Sequence, residues 1–260
     1  MGPEISCERV RKVYGRGSAA FEAVNSATFS VQPGEFISLL GPSGCGKSTL
    51  LMMIAGLEAV TEGRICAGGE ILDGPRAEIG IVFQDPTLLP WKTAWENIMF
   101  PIEMMGRSRS AHADRAHELL RLVGLADAAS KRPSQLSGGM RQRVSLCRAL
   151  IADPSILLMD EPFSALDAIT RDDMNVVLLE LWERYRKTVL FVTHSIREAV
   201  LLSDRILVMG RSPSRILTDI AVPFARPRTF ELTESPAFNE LCGELRQHIT
   251  AAREGAAKKH

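Results

Sequence analysis

Residues 41–49 read GPSGCGKST, which fits the pattern G-x-x-x-x-G-K-[ST] and follows directly on the apolar run FISLL. This stretch constrains the fold more than any other, because the pattern works only as a turn from a buried strand into a helix. Glycines let backbone N–H groups close on phosphate oxygens, and a helix N-terminus adds roughly half a positive charge. Gly41, Pro42, Ser43, Gly44, Cys45 and Gly46 therefore read as a cradle for nucleotide phosphates. Lys47 then reaches the β and γ phosphates, Ser48 holds Mg²⁺, and Thr49 takes the α phosphate. The alternative, a plain glycine-rich turn, is disfavoured by the strand before it and the helix after it.

Three more apolar runs of strand length stop at polar residues: IGIVF at Gln84, SILLM at Asp160, and TVLFV at Thr193 and His194. Helical stretches separate them, so the expectation is an α/β fold with a largely parallel sheet covered by helices. Ligands of such sheets lie beyond the carboxyl ends of the strands, so all four strand ends converge on one candidate site. The first 35 residues and GRICAGGEIL read instead as short strands with glycine turns, an antiparallel flank. About 86–151 reads as an inserted helical subdomain. Within it SAHADRAHELLRLVGL places Ala116, Leu119, Leu120 and Val123 on one face, with Gly124 as the stop. The expected organisation is one domain over 1–260: a core of about 1–85 and 152–225, the helical insertion, and about 226–260 as a C-terminal helix (236–252) and tail.

ILLMDEP supplies the rest of a phosphoryl-transfer site. Asp160 is placed to bind Mg²⁺ directly or through water, and Glu161 to orient or deprotonate an attacking water. Alone, the two acids could equally be a helix N-cap. Gln84 and His194 are single residues, and each could be structural; His194 at its strand end could also hydrogen-bond a γ phosphate. Tyr14, one of only two tyrosines, ends the first strand beside Gly15, where it is either a core aromatic or a stacking partner for a purine.

Composition narrows the partners. Lys plus Arg and Asp plus Glu number 31 each, so no general basic field recommends nucleic acid. Five cysteines without a C-x-x-C pair argue against a disulfide framework and fit a reducing cytoplasm. The N-terminus lacks the apolar segment of a signal peptide, and no apolar run approaches the roughly 20 residues of a membrane span. MGPEIS satisfies the acylation pattern through Gly2 and Ser6, a match six residues often make by chance.

LSGGMRQRVSLCRAL, residues 136–150, raises a separate question. Ser137 is a plausible N-cap, Gly138 and Gly139 permit close backbone approach, and Val144, Cys147, Arg148 and Ile151 follow at helical spacing. It reads either as a second anion site or as an ordinary capped helix with a solvated arginine face.

In this order, the phosphate loop, Gln84, LSGGM, ILLMDEP, the SALD loop ending at Asp167, and His194 resemble the nucleotide-binding subunit of ABC transporters. The resemblance covers nearly the whole chain. It implies a substrate, ATP, with Mg²⁺ held by Ser48, Gln84 and Asp160, and hydrolysis served by Glu161, His194, Gln84 and Asp167. It implies that two such subunits pair head to tail, most simply as a homodimer. Each ATP is then held by Tyr14 and the phosphate loop of one subunit and by Ser137, Gly138 and Gly139 of the other, which gives the second anion site its purpose. Met140 stands where the family's commonest signature has Gln, and a thioether is a poor acceptor for a ribose hydroxyl. LLPWKTAWENI, DEPFSALDAITR and SPSRILTDIAVPFARPR resemble the branch serving nitrate, sulfonate and taurine importers. That branch implies membrane permease subunits as partners, a periplasmic or lipid-anchored solute-binding protein acting through them, and a place on the cytoplasmic face of the inner membrane. The competing expectation is a non-transport ABC ATPase, and a further one a subunit that does not hydrolyse, with which an intact Glu161 conflicts.

Overall fold

The computed structural model describes residues 3–211 and 214–254. Gly2 of the acylation pattern and residues 255–260 of the expected tail lie outside the described residues.

Two sheets organise the chain. The first is antiparallel and carries the expected flank: β1 (Ile5–Tyr14), β2 (Phe21–Val31), β4 (Glu62–Ala67) and β5 (Glu70–Ile71), in the order β2-β1-β4-β5. The second holds β3 (Phe36–Leu40), β6 (Ile79–Val82), β7 (Ile156–Asp160), β8 (Thr188–Val192), β9 (Arg205–Met209) and β10 (Ile216–Ala221), in the order β10-β9-β3-β8-β7-β6. All its pairings are parallel except β10 with β9. This is the α/β architecture expected.

In β3, β7 and β8 every residue is buried, which is why these strands read as unbroken apolar runs rather than as alternation. Alternation survives in what each side chain meets. Ile37, Leu39, Leu158, Leu190 and Val192 pack into one core with the antiparallel sheet and α1 (Lys47–Ile54). Phe36, Leu40, Leu157, Met159, Val189 and Phe191 face the opposite way, into the core shared with the remaining helices.

Three helices lie between β6 and β7: α2 (Ala94–Met104), α3 (Arg109–Leu122) and α4 (Gly138–Leu150). Thr93 and Glu96 close a reciprocal capping box on α2, since each side chain accepts from the other's backbone N–H. α3 buries Ala116, Leu119 and Leu120 as its periodicity requires, and the chain turns at Gly124 with φ of 67°. After β7 come α5 (Ala168–Tyr185), α6 (Ile196–Leu202) and α7 (Pro236–Glu254). Arg228, buried, donates to the carbonyls of Val200, Leu201 and Ser203 and so satisfies the open C-terminal end of α6.

Candidate active site

The phosphate loop lies between the end of β3 and the start of α1. A Cβ on Gly46, whose φ is 95°, would fall 2.7 Å from the Ala23 carbonyl oxygen, and one on Gly41 2.7 Å from that of Met209. Only glycine fits at either place. Lys47 is buried, with its ammonium folded back to donate to the carbonyls of Gly41 at 2.9 Å and Pro42 at 3.0 Å. The charge expected to face phosphates is thus held inside the loop, one bond exchange from an incoming anion. Cys45 is buried beside it, and desolvation pushes its thiol up.

Ser48 Oγ donates to Asp160 Oδ1 at 2.9 Å, joining the first turn of α1 to the end of β7. Burial pushes the Asp160 carboxyl above its ordinary range, and the Ser48 bond only partly opposes this. A half-desolvated carboxylate sharing a hydroxyl is a donor set suited to a hard, oxygen-seeking cation. The pair therefore fits the expected Mg²⁺.

Glu161 is not an N-cap. It holds φ of 43°, a left-handed conformation that costs on the order of 1–3 kcal/mol outside glycine. Its surroundings enforce the geometry: its N–H donates to the Val192 carbonyl at 2.9 Å, and its own carbonyl accepts from Ser164 N and Oγ. The carboxylate thereby meets His194, whose Nδ1 lies 3.1 Å from Glu161 Oε2. Gln84 Nε2 donates to Ser164 Oγ at 3.2 Å. Gln84, Ser164, Glu161 and His194 thus form one chain of contacts, and Ser164 is the member that sequence reasoning missed.

The N-cap in this region is Asp167, which accepts from Thr170 N and Oγ1 at the start of α5; the bond to the Thr170 backbone holds its carboxyl below the usual range. Tyr14 is 38% exposed, so the core-aromatic reading is overturned, and Lys12 Nζ sits 4.8 Å from its ring centroid.

Ser137 caps α4 as expected, accepting from Met140 N at 3.3 Å. Gly138 and Gly139 occupy the first two helical positions rather than the interior, where glycine is more costly. They differ in what they meet. A Cβ on Gly139 would strike Thr170 Cγ2 at 2.5 Å, whereas one on Gly138 would find nothing nearer than 3.9 Å. The arginines that follow are neither solvated nor gathered around an anion site. Arg141 donates to the Leu136 carbonyl, Arg143 to that of Val123, and Arg148 to those of Pro86 and Thr87. Met140 packs partly buried against the helical core. Among the described residues, no hydrogen bond or ion pair joins Ser137, Gly138 or Gly139 to the phosphate loop.

A phosphate loop at the head of a parallel sheet, a strand-end carboxylate pair with a histidine partner, and a capped glycine pair on a separate helix define a P-loop ATPase cassette. A family model described as "ABC transporter" matches residues 24–164. The taurine import ATP-binding protein TauB of Burkholderia pseudomallei is 46% identical over 223 residues, covering 86% of each chain. The bicarbonate transport ATP-binding protein CmpD of Synechocystis sp. is 41% identical over 241 residues, covering 91% of this chain and 86% of that one. Among solved structures, a dimeric post-hydrolysis state of the ATP-binding cassette MJ0796, bound to ADP and Pi, superimposes with a TM-score of 0.75 at 33% identity, over 85% of this chain and all of that one. The chain belongs to the ABC transporter family and is an ATPase of that type.

Proposed function

We propose that this chain is the energy-coupling ATPase of an importer for a small solute such as taurine, another sulfonate, nitrate or bicarbonate. The observation that carries the reading is the Glu161–His194 pair beside Ser48–Asp160, where four strand ends meet; the relatives named for taurine import and bicarbonate transport support the importer assignment. The non-transport alternative has no comparable support. The core, the helical insertion and the C-terminal segment act as one cassette.

Lys47, Ser48, Thr49 and the loop amides hold the triphosphate, and Tyr14 offers its exposed ring to the base. Ser48, Asp160 and Gln84 hold Mg²⁺, which supplies charge neutralisation for the phosphoryl oxygens. Glu161 accepts the proton of the attacking water. Through its Nδ1 contact with that carboxylate, His194 fixes the rotamer and turns Nε2 toward the γ phosphate, to which that nitrogen can donate only as an N–H. Ser137, Gly138, Gly139 and Asp167 serve the same step in a second cassette, across a homodimeric interface like that of the MJ0796 dimers.

Transmission to the membrane begins at Gln84. Asn97, buried on α2, accepts from Leu89 N and donates to the carbonyls of Leu89 and Lys92, so the segment after Gln84 is a braced turn. Trp91 stands on that turn 68% exposed. The same segment, through Thr87 and Leu89, borders an apolar cleft of about 500 Å³ also lined by Ile81, Phe100, Met104 and Met105. We assign this surface to a short cytoplasmic helix of the permease, which holds the cassette at the cytoplasmic face of the inner membrane. The solute-binding protein acts from the other side of that membrane.

Trp91→Ala should leave basal ATP hydrolysis and melting temperature nearly unchanged while weakening permease binding by about 2 kcal/mol or more, as loss of an aromatic hot spot does. A large drop in melting temperature of the isolated subunit would place Trp91 in the fold instead. The function itself is tested by Mg²⁺-dependent ATP hydrolysis of the purified chain, followed by uptake in vesicles carrying the permease, across a panel of sulfonates, nitrate and bicarbonate.

A further inference from the structure

Beside the candidate site, a buried glutamate on α6 pairs with a partly exposed arginine on α5. Glu198, on the first turn of α6, is 6% exposed. Its Oε2 accepts from the Thr193 hydroxyl at 2.6 Å, and its Oε1 lies 3.7 Å from Arg171 Nε. Thr193 Oγ1 in turn accepts from Ser195 N at 3.0 Å, so the carboxylate holds Thr193 directly and Ser195 through it, the residues on both sides of His194. Arg171, on the first turn of α5, donates to the carbonyls of Phe163 at 3.3 Å and Leu166 at 2.8 Å. Those carbonyls belong to the turn that runs from Glu161 to Asp167.

Burial pushes the Glu198 carboxyl upward, opposed by the Thr193 hydrogen bond and the Arg171 charge. With Glu198 buried and Arg171 partly exposed, the ion pair adds little net stability, and the best-attested use of such a pair is to fix one arrangement among several. The arrangement fixed here is the placement of the His194 loop relative to the Glu161–Asp167 turn. Among the described residues neither side chain hydrogen-bonds His194, so beyond the charge of the His194 ring, which helps hold the Glu198 carboxyl down, both act at one remove.

We propose that Glu198 and Arg171 form a positioning bracket that sets His194 against Glu161 and ties both to Asp167. The inference rests on the ATPase reading of the site. Through the bracket, displacement of the Asp167 turn by a second cassette is carried to the histidine that orients the general base. No movement of the sheet is needed, because α5 and α6 each carry one half of the pair on their first turns.

The test uses the full chain and Glu198→Gln, which keeps an amide oxygen for Thr193 and removes only the charge facing Arg171. Turnover should fall roughly 10- to 100-fold, the scale of a small misplacement in a catalytic array, with the KM for ATP and the melting temperature nearly unchanged. In a His194→Ala background the same substitution should change turnover by less than about twofold, since groups acting through one another are not additive. Combined with Arg171→Lys, Glu198→Gln should again add little. An equal factor in both backgrounds, unchanged turnover, or a loss that tracks the melting temperature would overturn the bracket. A readout independent of hydrolysis separates this outcome from failure of the ATPase reading. In ¹⁵N-histidine spectra of the nucleotide-free chain, Glu198→Gln should move the His194 ring resonances and leave His112, His117 and His248 in place. Unmoved His194 resonances would sink the proposal whether or not the chain hydrolyses ATP.

Discussion

Glu161→Gln is expected to bind Mg²⁺-ATP as the wild type does and to turn it over roughly 10²- to 10⁴-fold more slowly, the usual scale for loss of a general base. The substitution is conservative in every respect but one. Glutamine keeps the side-chain length and an amide oxygen that can accept from His194 Nδ1, now 3.1 Å from the carboxylate. The backbone bonds from Glu161 N to the Val192 carbonyl and from Ser164 to the Glu161 carbonyl involve no side-chain atom of residue 161. The left-handed φ of 43° is therefore held in the variant by the same contacts. What disappears is the capacity to take a proton from water. Steady-state hydrolysis, with nucleotide affinity measured separately, decides the point: wild-type turnover in the Gln variant would remove Glu161 from the mechanism, and lost affinity would make it a binding residue.

Sequence reading reached those parts of the site that local chemistry dictates. The phosphate loop is legible because strand, glycines, lysine and helix are contiguous, and a Cβ at Gly41 or Gly46 has no room. β7 and β8 are legible because both of their faces are covered, so their ends at Asp160 and His194 stand out against apolar runs, and even the half-buried edge strand β6 keeps an apolar run up to Gln84. What stayed hidden depends on contacts between distant segments. The three arginines of α4 look like a solvated or anion-binding face. Yet Arg148 reaches 61 residues back to the Thr87 carbonyl, a partner that no periodicity announces. Ser195 and Glu198 spell a capping box, but the structure uses only half of it: Ser195 accepts from Glu198 N, while the Glu198 carboxylate turns to Thr193 and Arg171. Tyr14 is ambiguous in sequence for a different reason. An aromatic residue suits a core as well as a binding surface, and only its exposure in the fold separates the two.

The second prediction concerns the signature helix, and its expected effect is all or none. Adding ATP to the Glu161→Gln chain should produce a stable dimer if nucleotide is bound in the proposed shared site, because hydrolysis would no longer release it. Adding Ser137→Arg should abolish that dimer while leaving the monomer folded. Ser137 is exposed and caps α4 through a single 3.3 Å bond to Met140 N, so losing the cap costs on the order of 1 kcal/mol. That is too little to unfold a domain of this size. The effect on association is far larger. Among the described residues, Ser137, Gly138 and Gly139 make no hydrogen bond or ion pair to the chain's own phosphate loop, and a Cβ on Gly138 would meet only ordinary van der Waals contact, nothing nearer than 3.9 Å. In the proposed head-to-tail arrangement that surface would close on the partner's triphosphate, and an arginine side chain would occupy the volume the phosphates need. Gly139 serves as the internal control, since its missing Cβ is required by Thr170 within the same chain. Gly139→Ala should therefore lower the melting temperature, which Ser137→Arg should barely move. Light scattering with and without ATP reads the outcome. A persistent monomer in Glu161→Gln, or an intact dimer after Ser137→Arg is added, would count against a shared site and leave α4 as no more than a capped helix.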